Sequence, residues 1–308
     1  MRYAKFLFNG DMGRIAFVFP GQGSQFAGMG KDLYAKYPKI RTLYDKANEI
    51  LGINIRDISF SGSDIEITES RNAQPCIFLY SAACYDLMEQ VHLGTKPDVV
   101  AGHSLGEYSA LFAAGVLEFD DALHLVRFRG ELMSQTNPGT MAAVIGIEAG
   151  EVERIITELK SEGIITAANY NSPAQTVISG APEMIAKASE ILKSQGAKRV
   201  IQLNVSGAFH SPLMEQAFNK FKLVLSKTDF KPPSVPIVPN ATGKLTSSIA
   251  EIKEALERQI LSPVRWVESI KTMIEFGVDT FIELGPGKVL SGLIKQIAPD
   301  VKIIKQEL

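Results

Sequence analysis

Few backbone arrangements accommodate a serine wedged between a short apolar run and a helix, with a glycine two residues away on each side. VVAGHSLGEYSALFAAG has this form: the apolar run ends at Gly102, and Gly102-His103-Ser104-Leu105-Gly106 leads into a helical stretch over 105–114. In that stretch Leu105, Tyr108, Leu111 and Phe112 share one face. Small flanking residues permit a tight strand-to-helix turn. The turn lifts the hydroxyl above the sheet and aims free N–H groups of the first helical turn toward it. An acyl-transfer nucleophile needs this, because backbone donors can then meet a developing oxyanion. The same five residues also suit a plain helix cap, with the glycines serving close packing.

Around this junction, strand-like apolar runs alternate with helical stretches. IAFVF, stopped by Pro20 and Gly21, reads as a buried strand, and a helical stretch follows to about Gly52. Helices are predicted over 72–91, with Pro75 near the first turn, and over 120–133, which carries Arg127 and Arg129. Near Gly139 the pattern changes. TMAAVIGI, IITAANY, QTVISGA and AKRVIQLNV read as strands, with helices over 151–161 and 182–195 and a turn at Asn171-Ser172-Pro173. This β-α-β-β-α-β order is the split βαβ, ferredoxin-like unit, and it has its own two-layer logic. After it come a helix over 211–227, a strand VPIVP, helices over 249–261 and 266–276, a strand TFIELG and a helix over 289–297. The expected architecture is α/β: a mainly parallel sheet covered on both faces, formed by 14–138 and 208–308, interrupted by a small inserted domain over 139–207.

Composition removes several classes. Lys plus Arg number 32 against 34 Asp plus Glu, a net charge of -2, so no global field favours nucleic acid. No run approaches the roughly 18 apolar residues of a membrane span, and the start lacks the long apolar core of a signal peptide. Cys76 and Cys84 support neither a disulfide scaffold nor a cysteine-rich metal site and read as buried small hydrophobes. A soluble cytoplasmic protein is expected. Residues 1–13 carry little pattern.

A serine hydroxyl needs a base. Of the four histidines, His92 lies near a helix end, His124 inside a helix, and His103 beside the serine. His210, in SGAFHSP, lies in a connection between a strand end and a helix, where α/β proteins place their chemistry. Its neutral imidazole could take the hydroxyl proton and return it to a leaving group. A tautomer-fixing carboxylate cannot be selected from the 34 present. GQGSQFAGMG departs from a nucleotide-binding G-x-G-x-x-G by one position and lacks the P-loop lysine. It reads better as flexible backbone that brings the Gln22 N–H to a reacting carbonyl, or as a tight turn. Arg127 and Arg129, two apart on a helix, point in different directions, and one turned inward could hold a carboxylate bidentately.

FVFPGQGSQFAGMG, GHSLGEYSAL, RFRGELM, NVSGAFHSPLM, QILSPVRW and ELGPGKVLSGL, in this order, resemble the malonyl-CoA:acyl carrier protein transacylases and the related acyltransferase domains of fatty-acid and polyketide synthesis. The resemblance starts at about Arg14, so the first 13 residues exceed the usual family length. It implies an α/β-hydrolase-like domain interrupted by a ferredoxin-like one. It implies malonyl transfer from malonyl-CoA to the phosphopantetheine thiol of holo acyl carrier protein through a malonyl-Ser104, with His210 as base and acid. It further implies the Gln259 carbonyl as orienter of His210, the Gln22 and Leu105 N–H groups as oxyanion donors, and Arg129 as carboxylate holder. His103 and Phe209 would line the substrate pocket, Phe209 crowding an α-substituent. Gly207 replaces the histidine of many malonyl-specific members and leaves more room. No metal or permanently bound cofactor, no nucleic acid, no membrane and a monomeric state are expected. Lys187, Lys193, Lys198 and Arg199 are candidates for steering the acidic carrier, or plain solvated ends. A hydrolase with the same serine and histidine, a trans-acting polyketide acyltransferase and a non-catalytic binding module are the competing readings.

Overall fold

The computed structural model describes residues 13–91, 95–136, 139–205 and 207–305. Residues 1–12 and His92 therefore lie outside the described residues. The strands are β1 (Arg14–Phe19), β2 (Val99–Gly102), β3 (Thr140–Ile145), β4 (Ile165–Ser172), β5 (Gln175–Gly180), β6 (Arg199–Gln202), β7 (Val278–Glu283) and β8 (Lys302–Lys305). They form two sheets. The first is parallel, in the order β2-β1-β7-β8. RIAFVF is buried at every position but Arg14, because helices cover both faces of this central strand. Its register pairs Phe19 with Gly102, which sets the end of β1 beside the serine turn.

The second sheet is antiparallel, in the order β4-β5-β3-β6. Read from the β6 side, the strands follow the fourth-first-third-second order of a ferredoxin-like unit. The helices Ala149–Leu159 and Pro182–Ser194 pack on it. Val152, Ile155 and Ile156 meet Val144, Ile178 and Leu192 in a core separate from that of the larger sheet. The two subdomains are stitched by backbone: Val264 N–H donates to the Ala168 carbonyl at 2.8 Å, and Tyr170 N–H donates to Val264 at 2.9 Å.

Local departures from the sequence expectations have identifiable causes. VPIVP is not a strand; Ile237 makes only single bridges to Val100 and Thr246. Pro236 and Pro239 flank it and lack the N–H donors a longer ladder needs. Three short elements escape the periodicity: the helices Ile55–Ser61 and Asp64–Thr68, and β8. The second of those helices carries a full capping box, Ser63 with Glu66, which the spacing S-x-x-E would have marked. The helix read over 211–227 divides into a 3-10 turn, Pro212–Met214, and the helix Glu215–Leu225. β4 runs through Ser172, so the turn begins at Pro173, two residues later than read. The helix Gly106–Ala113 is buried on nearly all sides rather than amphipathic.

One close approach organises the site. The long helix Ser70–Val91 crosses Phe119–Ser134 where Gly130 lies against Ser70. A Cβ at Gly130 would stand 2.4 Å from the Ser70 carbonyl oxygen. This contact brings Gln74 and Arg129 together beneath the serine.

Candidate active site

Ser104 occupies the turn between β2 and the helix Gly106–Ala113, at φ 50°. It and His210, at φ 56°, are the non-glycine residues with positive φ among those described. Such strained backbone persists only where its surroundings dictate it. Here they do: a Cβ at Gly102 would stand 1.9 Å from the Gly106 carbonyl carbon, and one at Gly106 would stand 2.0 Å from the Phe19 carbonyl oxygen. The glycines are required because three backbone segments touch. Asn240 completes the turn. Its Oδ1 accepts from Ser104 N–H at 2.6 Å, and its Nδ2 donates to the Gly102 carbonyl at 2.6 Å.

His210 is buried, with Nε2 2.8 Å from Ser104 Oγ. On the far side Nδ1 lies 2.9 Å from the Gln259 carbonyl and 3.0 Å from that of Ser262. Two carbonyl acceptors require Nδ1–H, which leaves Nε2 unprotonated and facing the hydroxyl. No carboxylate fills the third position, so none could have been found there. Burial, then the positive charge of Arg129, pulls the imidazole down to about 3. The ring is therefore neutral at physiological pH and able to accept a proton.

Arg129 is 1% exposed. Its Nη2 donates to Ser104 Oγ at 3.0 Å and to Gln259 Oε1 at 3.2 Å, and its Nη1 donates to Gln74 Oε1 at 2.8 Å. Arg127 turns the other way, onto Glu131 and the Arg71 carbonyl. The two arginines thus divide between site and surface as their spacing requires. The Gln22 loop lies directly on the serine turn, since a Cβ at Gly21 would stand 2.3 Å from the His103 carbonyl oxygen. Among the described residues, neither the Gln22 nor the Leu105 backbone N–H donates to a protein acceptor. The Gln22 side chain is anchored by donation from Nε2 to Ser70 Oγ at 3.0 Å.

Ser104 opens into a cleft of about 410 Å³ between the subdomains. Gln22, Thr68 and Val289 line it from the larger one, and Met141, Asn169 and Val177 from the smaller. His103 and Phe209 both line the cleft. His103 also braces it: Nε2 meets Asn171 Oδ1 at 2.8 Å, and the ring lies edge-on to the buried Trp266 at 5.6 Å. Enclosure lowers the His103 pKa. Gly207 does not widen the pocket as read from the sequence. It is buried outside the lining, where a Cβ would stand 2.9 Å from Thr136 Oγ1. His124 is exposed on its helix. Burial raises both thiols, Cys76 and Cys84, to about 12, which leaves them inert. Among the described residues no group of side chains is arranged to hold a metal ion, and no helix is long and apolar enough to cross a membrane.

Sequence reasoning missed Asn240, Gln74, Glu107 and the side chain of Gln259. Glu107 alone carried a signal, as a carboxylate directly after the serine motif, in the first turn of an otherwise uncharged helix.

A strained serine at a strand-to-helix turn, a neutral imidazole oriented by carbonyls, two available N–H groups and a buried guanidinium are the equipment of serine-based acyl transfer. The sequence model of the acyl transferase domain matches residues 16–306. The malonyl CoA-acyl carrier protein transacylase of Bacillus subtilis (strain 168) is 47% identical over 297 residues, covering 95% of this chain and 93% of the relative. The structure of an acyl carrier protein S-malonyltransferase from Vibrio cholerae superposes with a TM-score of 0.92 at 37% identity, covering 96% of this chain and 97% of that one. A structure of a malonyl-transacylase in complex with its type II PKS acyl-carrier protein gives a TM-score of 0.91 at 38% identity, covering 95% and 96%. The chain belongs to the acyl transferase family, among the malonyl CoA-acyl carrier protein transacylases.

Proposed function

We propose that this chain moves a malonyl group from malonyl-CoA to the phosphopantetheine thiol of holo acyl carrier protein, supplying fatty-acid biosynthesis. The observation that carries the reading is the Arg129 guanidinium 3.0 Å from a serine oxygen that itself lies 2.8 Å from an imidazole nitrogen. A malonyl carboxylate stands one carbon from its thioester carbonyl. A guanidinium beside the nucleophile therefore reaches the carboxylate of a short acyl group while the carbonyl meets the serine.

The proposed steps use these groups in turn. Arg129 pairs with the carboxylate, and Ser104 Oγ bonds to the thioester carbon as His210 Nε2 takes its proton. Negative charge on the former carbonyl oxygen faces the Gln22 and Leu105 N–H groups. The carbon–sulfur bond breaks, and His210 returns the proton to the departing CoA thiolate. The carrier thiol then enters by the same cleft. It loses its proton to His210, bonds to the ester carbon and frees Ser104, which recovers the proton. Residues 14–138 with 208–308 act as the catalytic unit and 139–207 as an inserted one, in a monomeric cytoplasmic enzyme. Lys187, Lys193, Lys198 and Arg199 are exposed on the smaller subdomain, where an acidic carrier would meet them. Lys187 already pairs with Glu162.

The test is intact-protein mass after brief exposure to malonyl-CoA, followed by addition of holo acyl carrier protein. The expected result is a malonyl-sized gain that is absent in Ser104→Ala and reappears on the carrier. Free malonate and CoA released without any gain would make the chain a hydrolase. Phe209 is proposed as the gate against substitution at the α carbon. Phe209→Ala should admit methylmalonyl-CoA in a competition assay, and unchanged selectivity would remove that role.

A further inference from the structure

Glu107 takes no part in the steps above, yet it is 1% exposed in the first turn of the helix after the nucleophile. Its Oε2 accepts from Asn240 N–H at 3.0 Å and from Gln259 Nε2 at 2.9 Å. Those two partners hold the reacting groups. Asn240 fixes both backbone sides of the serine turn. Gln259 reaches all three residues: its backbone carbonyl accepts from the His210 ring, its Nε2 also donates to the Ser104 backbone carbonyl at 2.9 Å, and its Oε1 accepts from Arg129.

The chemistry of the amide gives Glu107 its leverage. A primary amide has one donating and one accepting end, and an ionised carboxylate can only accept. Two acceptors, Glu107 Oε2 and the Ser104 carbonyl, face the Gln259 nitrogen, which leaves the amide oxygen for the guanidinium. Turned over, the amide would set its NH2 against the Arg129 cation and its oxygen against the Glu107 anion. We propose that Glu107 is a positioning residue: its acceptor-only carboxylate fixes the sense of the Gln259 amide and so holds Arg129, Ser104 and His210 in register for acyl transfer. This rests on the malonyl-transfer reading above and deepens it.

The groups whose charge Glu107 feels are Arg129, from the helix Phe119–Ser134, and its neighbour Tyr108. Burial pushes the carboxyl up to about 7, so the test belongs at pH 8, where it is ionised. Glu107→Gln keeps the size and one acceptor but adds a donor, which lets the Gln259 amide settle either way. Rapid-quench mass spectrometry gives the rate of malonyl-Ser104 formation. The saturating rate should fall about tenfold, the equivalent of one hydrogen bond to a charged group. The half-saturating malonyl-CoA concentration should not rise, because Arg129 keeps its charge, and the melting temperature should not drop. Gln259→Leu retains the backbone carbonyl that holds His210; in that background Glu107→Gln should change the rate less than about twofold, because the linking amide is gone. The proposal is overturned by a saturating rate within twofold of the parent, by an effect confined to half-saturation, by loss explained by melting, or by an undiminished loss in Gln259→Leu. A parent chain that never acquires malonyl would overturn the proposed function instead.

Discussion

The His210 ring is kept neutral by its surroundings, and that has a consequence for stability. Its pKa falls from 6.5 to about 3 on folding, chiefly through burial. A histidine depressed in this way contributes stability above its unfolded pKa and loses it as pH falls toward the folded value. Between pH 6.5 and 5 the unfolded chain takes up a proton that the folded ring refuses, at a cost of about 1.5 kcal/mol. Glu107 acts in the opposite sense: its folded pKa is raised to about 7 from 4.5, so its contribution declines as pH rises through that window. Urea titrations of the parent and His210→Gln at both pH values separate the two. The variant should lose less stability on acidification by about that amount. Equal losses would mean that the ring is solvated. Ser104, His210 and Arg129, which the structure brings together, were legible as candidates because their side-chain types suit acyl transfer and sit in recognisable segments. Asn240 was not, since its amide serves only to bridge two backbone groups of a turn 136 and 138 residues earlier in the chain.

At the scale of elements, what could be read was what periodicity and punctuation control. The split βαβ unit emerged because its helices and strands each bury one face and are bounded by turn residues. The single bridges at Ile237 and the helices over 55–68 did not. The first looks like a strand until its prolines are weighed, and the second relies on caps rather than an apolar stripe. The segment after the helix Ile249–Arg258 joins structure to chemistry. Gln259 and Ser262 hold His210, Val264 pairs with β4, and Trp266 opens the next helix fully buried against His103. Trp266→Ala should cost about 3–5 kcal/mol from the cavity it leaves. It should also slow acylation more than unfolding accounts for, because the His103 brace and the base holder share that segment. A stability loss with acylation unchanged per folded molecule would separate the two functions.

For the whole molecule, the two subdomains divide the labour. The larger carries Ser104, His210 and Arg129, and the smaller lines the other side of the cleft with Asn169, Met141 and Val177. Chain order alone could place the insertion but not its strands against the site. That placement depends on backbone hydrogen bonds between Val264 and β4, which leave no mark on hydrophobic pattern. On the proposed function, this cleft selects a carboxylated acyl group through one buried charge. The most direct measurement is the rate of acyl-Ser104 formation from malonyl-CoA and from acetyl-CoA, in the parent and in Arg129→Ala, by rapid-quench intact mass. The variant should lose malonyl loading by about 10²-fold or more, the scale of a lost buried charge pair, and acetyl loading by far less. Equal losses for both donors would contradict that selection, because Arg129 would then serve the serine rather than the substrate.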